Sequence, residues 1–353
     1  DQKEERSTKK YYKPTKQRYN NTDISSLHKT ENWKTPEAKM KEPATTNQDI
    51  LEEAVKFYKH TYQAKKSKIK DREILLKKLK EKQLSQNSKT ILNKEIEAKE
   101  IKKEIRNMAT GKSPGPDKLP AEFYKQFEKM ITPDLLNMYK ESFNNRELSD
   151  STISGEIILL FKKNDPRDIR NYRPITLLNV DYKILTKILA GRMKRVMDDI
   201  VHPSQLGFVP QRVISEASHL IKLLQAYLDE KDEEGLFVSL DWEKAFDRCS
   251  WEYMHAAAAA LGFPKNFRKW LYMIYNKNKP PIRKLRVNGE ISTTFHIHSG
   301  VAQGCPASPL IFLLITEALT RLIQDDPEIE GIKIGDNEHK LTLFADDTTA
   351  ILK

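Results

Sequence analysis

The stretch that decides the fold is Lys340-Leu341-Thr342-Leu343-Phe344-Ala345-Asp346-Asp347-Thr348-Thr349-Ala350-Ile351-Leu352. Two β-prone runs flank a two-aspartate tip, which reads as a hairpin carrying acid at its end. Upstream, Leu236-Phe237-Val238-Ser239-Leu240 is a second apolar run, and it ends in Asp241. Two strands that each deliver carboxylate to one end supply what a two-metal phosphoryl-transfer site needs. Mg²⁺ takes hard oxygen ligands and keeps water and phosphate in its shell, so a few aspartates suffice. Strand alternation groups Asp241 with Ser239 and Phe237, and Asp346 with Phe344 and Thr342. Leu236, Val238 and Leu240, with Leu341, Leu343 and Ala345, are then expected to form an opposite face covered by helices. Taken alone, an Asp-Asp tip is an ordinary solvated turn; its weight comes from Asp241 and from the motifs below.

The 353 residues suit two or three packed units. A formal net charge of +11 favours a polyanionic partner, either nucleic acid or an acidic membrane surface. The most apolar run, Pro309 to Ile315, is interrupted by Glu317 and falls far short of the ~18 residues of a membrane span, so no membrane insertion is expected. The two cysteines, Cys249 and Cys305, make neither a four-ligand zinc site nor a disulfide framework and point to a reducing compartment. The chain opens Asp1-Gln2-Lys3-Glu4 without a leader pattern and stops within the strand after Asp347, so it reads as a piece of something longer.

Residues 1–48 are polar with few apolar anchors and are expected to be a disordered basic tail. From Ile50 to Met108 the apolar spacing is helical, with dense Lys and Glu. Those helices, between Ala64 and Lys103, admit two readings: a solvated face, or a surface for template phosphates. Gly111-Lys112-Ser113-Pro114-Gly115-Pro116-Asp117 breaks the pattern, and one helix is expected from Ala121 to Phe143. Ile157 to Phe161 and Asn171 to Ile175 form a finger-like hairpin around Lys162-Lys163-Asn164-Asp165-Pro166. Leu178 to Met197 reads as a basic amphipathic helix, followed by helices at 215–228, 250–261 and 265–275. Asn288-Gly289 is the favoured dipeptide of a two-residue hairpin turn between 283–287 and 293–298. Ser308 and Pro309 open a helix reaching about residue 324.

Six blocks, in order, resemble the reverse transcriptase of LINE-type non-LTR retrotransposons. They are Lys112-Ser113-Pro114-Gly115-Pro116-Asp117 with Pro120-Ala121-Glu122-Phe123-Tyr124, and Asn171-Tyr172-Arg173-Pro174-Ile175. Next come His202-Pro203-Ser204-Gln205-Leu206-Gly207-Phe208 and Asp241-Trp242-Glu243-Lys244-Ala245-Phe246-Asp247. Gln303-Gly304-Cys305-Pro306-Ala307-Ser308-Pro309 and Phe344-Ala345-Asp346-Asp347 complete the series. The resemblance implies an α+β right-hand polymerase that copies RNA into DNA. Its parts would be a helical N-terminal extension (49–142), fingers (143–235) and a palm of antiparallel strands packed on helices (236–353), with the thumb, endonuclease and Cys-rich tail absent.

It further implies that Asp241, Asp346 and Asp347 are catalytic and bind two Mg²⁺ ions, with Mn²⁺ as an alternative and the carbonyl of Trp242 joining the shell. Phe246, after Ala245, would pack under the sugar and exclude a 2′-hydroxyl, although a Phe taken alone is more often a core residue. Gln303 and Gly304 would lie beside the incoming nucleotide. Arg173, with Lys162 or Lys163, would hold the triphosphate; Arg173 also reads as a plain surface cation. His202 and His219 have no metal-ligand spacing and read as structural.

The implied partners are RNA template, DNA primer and dNTP, in an intracellular ribonucleoprotein of nucleus and cytoplasm, with oligomeric state open. Departures from the family pattern are Ala302 in place of Arg, Phe161-Lys162-Lys163-Asn164 in the finger loop, and Lys118 and Gln211 in place of glycines. Two other readings stand beside this one: a catalytically inactive nucleic-acid-binding remnant, and a protein like intron maturases that uses the polymerase core to fold RNA.

Overall fold

The structure is a computed structural model and describes residues 23–30, 40–65 and 68–353. Strands β1 (Leu27–Thr30) and β2 (Met40–Ala44) precede helices α1 (Asn47–Thr61), α2 (Ile69–Lys80), α3 (Gln86–Asn93), α4 (Ala98–Arg106), α5 (Ala121–Gln126), α6 (Glu128–Asn145) and α7 (Asp150–Ile153). Then come β3 (Gly155–Phe161), β4 (Tyr172–Leu178), α8 (Val180–Lys194), α9 (Met197–Ile200), α10 (Ile214–Lys231) and β5 (Leu236–Leu240). Helices α11 (Trp251–Ala260) and α12 (Lys265–Ile274) lead to β6 (Ile282–Val287), β7 (Glu290–Ile291), β8 (Phe295–His296) and α13 (Ser308–Asp325). The chain closes with β9 (Ile332–Ile334), β10 (Asn337–His339), β11 (Leu341–Phe344) and β12 (Asp347–Leu352). Helices and sheets are both present, a mixed α/β content, with a stretch from Asn47 to Ile153 that is all-helical among the described residues.

The chain divides into two compact units that are discontinuous in sequence. One takes the described residues up to His60, with Glu156–Ile175 and Lys284–Phe295; the other takes Thr61–Gly155, Thr176–Arg283 and His296–Lys353. In the first unit, the region expected to be a disordered tail is partly ordered: β1 pairs antiparallel with β2, while residues 1–22 and 31–39 of that expectation lie outside the described residues. Three small anchors do this, Ile24, Leu27 and Ala44, all buried. Asn288 holds the segment from afar, its side chain accepting from the Ile24 N–H and donating to the Ile24 carbonyl, each at 2.8 Å. Asn288 and Gly289 both have positive φ, 49° and 85°, as a two-residue hairpin turn between β6 and β7 requires. The finger-like hairpin is present as the neighbouring strands β3 and β4, with the Lys162 N–H bonded to the Asn171 carbonyl at 2.9 Å.

The second unit holds the larger core. Helix α8, expected to be amphipathic with a basic face, is instead buried on most sides, from Val180 and Tyr182 through Ile184, Leu185, Ile188 and Leu189 to Met193. Even Arg192 is buried, because its guanidinium pairs with Glu100 at 2.7 Å and donates to the carbonyls of Lys94 and Glu95. Cations of the N-terminal helices are likewise tied to carboxylates: Lys78 bonds both Glu81 and Asp325 at 2.7 Å, and Lys99 bonds Glu97 at 2.6 Å. The single helix expected from Ala121 to Phe143 is broken at Phe127, whose φ and ψ of −105° and 23° are not helical.

A three-stranded sheet in the order β11-β12-β5 ends the unit. Phe237 packs with Leu224, Leu228, Ile332 and Ile351. The expected helix-covered face is found only at β11, where Leu341 and Leu343 are buried; at β5 the same face is open, with Leu236 57% and Leu240 46% exposed. Strand position does not explain the difference, since β11 and β5 are both edges of this sheet; at β5 the packing seen among the described residues runs through Phe237, on the opposite face.

Lys118 and Gln211, where glycine was expected, both adopt left-handed backbone, with φ of 63° and 69°. Such a conformation costs a side-chain-bearing residue about 1–2 kcal/mol, partly offset by the extra unfolded-state entropy a glycine would carry. Gln211→Gly should therefore raise the unfolding free energy in urea by roughly 0.5–1 kcal/mol; a decrease would show that the left-handed conformation is not strained.

Candidate active site

Strands β5 and β12 pair antiparallel with Leu240 opposite Thr348. One more step along that register sets Asp241 opposite Asp347. Residues directly opposed in an antiparallel ladder project to one face, with α-carbons about 5 Å apart. Strands β11 and β12 close through Ala345-Asp346, with Phe344 paired to Asp347, so Asp346 occupies the turn beside them. The Trp242 indole donates to Thr348 Oγ1 at 3.4 Å, tying the residue after Asp241 to the residue after Asp347.

Asp241 and Asp347 are exposed, and among the described residues neither is ion-paired. The three aspartates share one end of the sheet without closing into a cage: among the described residues no three His, Cys, Asp or Glu side chains form a ready metal group. The donor set nonetheless fits a hard divalent cation, since it offers carboxylate oxygens, those of Asp241 and Asp347 at a solvent-open edge.

The acidic turn is strained and braced. Ala345 has φ 59°, a left-handed conformation unfavourable for a residue with a β-carbon. The buried side chain of Gln205 engages both sides of this residue: Oε1 accepts from the Ala345 N–H at 2.8 Å, and Nε2 donates to the Ala345 carbonyl at 3.3 Å. Oε1 also accepts from the Gly207 N–H at 2.9 Å, and a β-carbon on Gly207 would overlap the Ala345 backbone nitrogen. Backbone bonds reinforce the contact, Leu206 N–H to the Leu343 carbonyl at 2.7 Å and Leu343 N–H to the Ser204 carbonyl at 2.9 Å.

The brace is itself anchored by α13. Buried Glu317 accepts from the His202 N–H at 3.1 Å, and Gln324 donates to Ser204 Oγ at 2.7 Å. Burial raises the Glu317 pKa, opposed by Arg321, whose guanidinium bonds it at 2.7 Å.

A second set of contacts stitches the segment after Asp241 to the loop before Gln303. Val301 N–H bonds the Phe246 carbonyl at 2.7 Å, and Gly300 N–H bonds the Cys249 carbonyl at 2.8 Å. Gly300 has φ 84°, and a β-carbon there would come within 2.6 Å of the Asp247 carbonyl oxygen, so both conformation and space demand glycine. The Phe246 ring stacks on Phe312 at 4.8 Å, and half-buried Ala245 precedes it. Gln303 Nε2 donates to buried Asp247 at 3.1 Å. Gly304 has φ 116° and lies against the Thr176 carbonyl, so its lack of a side chain serves a backbone approach within the protein. Arg173 and Lys162 lie in the other compact unit; both are exposed, and among the described residues neither is ion-paired.

The geometry adds Gln205 and Asp247 to the residues singled out from sequence. Both stood inside quoted motifs, but each has a polar neighbour, Ser204 before Gln205 and Arg248 after Asp247, so no local pattern marked them as buried. Tyr62, which also reaches Asp247, carried no signal either. No helix among the described residues is long and apolar enough to cross a membrane.

The family profile for reverse transcriptase (RNA-dependent DNA polymerase) matches residues 161–353, more than half of the chain. The chain is 32% identical over 268 residues to a transposon TX1 uncharacterized 149 kDa protein of Xenopus laevis, covering 76% of this chain and 20% of that protein. It is 26% identical over 235 residues to the Pol polyprotein of the retrotransposable element R2DM of Drosophila melanogaster, covering 67% and 21%. To the RNA-directed DNA polymerase of the mobile element jockey of Drosophila melanogaster it is 24% identical over 263 residues, covering 73% and 27%. It thus spans only 20–27% of the length of these relatives.

Gln205→Leu would strand the amide hydrogens of Ala345 and Gly207 in a buried setting, at about 1–3 kcal/mol for each unsatisfied group. The expected result is a loss of at least ~2 kcal/mol in chemical unfolding and faster amide exchange at Ala345; an unchanged exchange rate would show that the turn holds without the brace.

Proposed function

The chain belongs to the reverse transcriptase family, in its LINE-type, non-LTR retrotransposon branch, and we propose that it carries the fingers (143–235) and palm (236–353) of an RNA-directed DNA polymerase of the right-hand type. In this reading residues 49–142 form a helical N-terminal extension. The observation that carries it is the register of β5 and β12, whose last pair, Leu240 opposite Thr348, brings the strand ends bearing Asp241 and Asp347 together beside the braced turn holding Asp346. Template RNA, a DNA primer and dNTP are the proposed substrates, in an intracellular ribonucleoprotein of nucleus and cytoplasm, and the formal charge of +11 suits such polyanions.

Asp241, Asp346 and Asp347, with the Trp242 carbonyl, would hold two Mg²⁺ ions, or Mn²⁺ in their place. Such ions lower the pKa of a 3′-hydroxyl and neutralise charge on the transferring and leaving phosphates. The protein's share is positioning, which carries much of phosphoryl transfer. Gln205 keeps the Asp346-Asp347 turn in one conformation, and the Trp242–Thr348 bond keeps Asp241 in register. Phe246, backed by Phe312 at 4.8 Å, presents a ring that cannot retreat from a 2′-hydroxyl. Gln303 and Gly304 would flank the incoming nucleotide. Arg173 offers an exposed planar cation for triphosphate oxygens, with Lys162 as a point charge.

Primer extension on an RNA template tests the proposal. Asp241→Asn should abolish extension dependent on Mg²⁺ while RNA affinity changes less than about twofold, since one exposed carboxylate contributes little to binding a polyanion. Loss of both would assign Asp241 to folding, and RNA binding without extension by the unsubstituted protein would favour an inactive remnant. Phe246→Ala should raise ribonucleotide use relative to deoxynucleotide by about tenfold or more, the scale of a removed steric clash. An unchanged ratio would place the discrimination elsewhere.

A further inference from the structure

Asp247 is a carboxylate with none of its surface exposed, on the segment between the acidic end of β5 and α11. No metal or phosphate role falls to it. Burial pushes its pKa up to about 6, against the pull of Lys244, Gln303 and Tyr62, so it is mostly ionised at neutral pH. An apolar residue of similar size would avoid that penalty, and the contacts of the carboxylate show what it does instead. Gln303 Nε2 lies 3.1 Å from Oδ1 and 3.3 Å from Oδ2, and the Tyr62 hydroxyl donates to Oδ1 at 3.3 Å.

We infer that Asp247 is a positioning residue that fixes the side-chain amide of Gln303 with its nitrogen inward and its carbonyl oxygen outward, so that Gln303 meets the incoming nucleotide as a hydrogen-bond acceptor. The inference rests on the reading of Gln303 as a neighbour of that nucleotide. An ionised carboxylate accepts and never donates, whereas a glutamine amide has a donor end and an acceptor end. Turning the amide over would place two acceptors face to face in a buried setting, which costs the full price of unpaired polar groups. The rest of Gln303 has little freedom to compensate. Its carbonyl accepts from the Thr176 N–H at 2.7 Å, and two residues earlier the chain is bonded through Val301 to Phe246. Gly300, pressed against the Asp247 carbonyl, sets the spacing between the two segments. The outward Oε1 therefore suits an O–H or N–H donor on a deoxynucleoside triphosphate, such as a sugar hydroxyl or a base amino group.

Steady-state primer extension with D247N, Q303A, the double variant D247N/Q303A, and the exchange pair D247N/Q303E tests this, with thermal melting of each as a control. Replacing the acceptor-only carboxylate by an amide allows both orientations of Gln303. D247N should then raise KM for dNTP about tenfold, the scale of one hydrogen bond, with a smaller change in kcat. Because the effect acts through Gln303, D247N should add less than about twofold to KM in the Q303A background. The exchange pair restores one donor facing one acceptor and leaves a carboxylate oxygen outward, so it should regain most of the lost KM. An equal KM penalty from D247N in both backgrounds, or an exchange pair no better than D247N alone, overturns the inference in favour of a purely structural carboxylate. If the unsubstituted chain extends no primer, the polymerase reading fails separately. The clamp is then judged by the side-chain amide resonances of Gln303 in ¹⁵N spectra: slowed exchange that is lost in D247N supports it, and identical behaviour in both proteins overturns it.

Discussion

The hydrogen bonds between one buried glutamine amide and Ala345 are the constraint on which the candidate site depends. A hairpin tip that carries two adjacent aspartates gains nothing from their like charges, and Ala345 is held at φ 59°, where a β-carbon is unfavourable. Gln205 answers this by taking the N–H and the carbonyl of the same residue. A backbone segment could make these bonds only by running alongside as another strand; a side-chain amide makes them from a loop, because it carries donor and acceptor a fixed distance apart. The loop in turn is fixed by Glu317 and Gln324 of α13. The acid that interrupts the apolar run of α13 is thus the far end of a chain of contacts leading to the acidic tip.

The same logic recurs between the segment after Asp241 and the loop before Gln303. There a carboxylate orients an amide, and a glycine sets the separation. In both places the residue proposed to meet substrate is not the residue that determines its own orientation. Protein interiors transmit such constraints because they are close-packed and bistable rather than compliant.

Legibility in the sequence followed the range of the interaction. The β11–β12 hairpin, the Asn288-Gly289 turn and the helices at 214–231 and 308–325 were readable because alternation, turn dipeptides and helical spacing are written in neighbouring residues. The pairing of β1 with β2 was not, since its stabilising partner Asn288 lies far along the chain and the segment itself is polar. The basic character of α8 misled for a similar reason. Arg192 looks like a surface cation until the carbonyls of Lys94 and Glu95 and the carboxylate of Glu100 are brought to it. The faces of β5 were assigned from hydrophobicity, but which face of an edge strand is covered depends on which helices reach it, and no local pattern records that. At the site, the acids and the aromatic were found through motif spacing, whereas the role of Gln205 needed the third dimension. Lys118 and Gln211 are the reverse case: departures from expected glycine in sequence, they keep the left-handed backbone that glycine would take.

Exposure separates the two kinds of acid in this unit. Asp241 and Asp347 face water, and two unit charges ~5 Å apart in bulk water repel by only about 0.8 kcal/mol, so the fold tolerates them unpaired. Buried acids have no such latitude. Glu317 is matched by Arg321, and Asp247, for which no salt bridge is seen among the described residues, is pushed up to about 6 by burial and is met by Gln303 and Tyr62 as donors. An acid pair destined for divalent ions must remain free of lysine and arginine, because a resident cation would compete for the same oxygens. Water is the only partner that screens the pair and then leaves. Placing Asp241 and Asp347 at the solvent-open end of two paired strands, with the support delivered from behind by Gln205, satisfies both conditions at once.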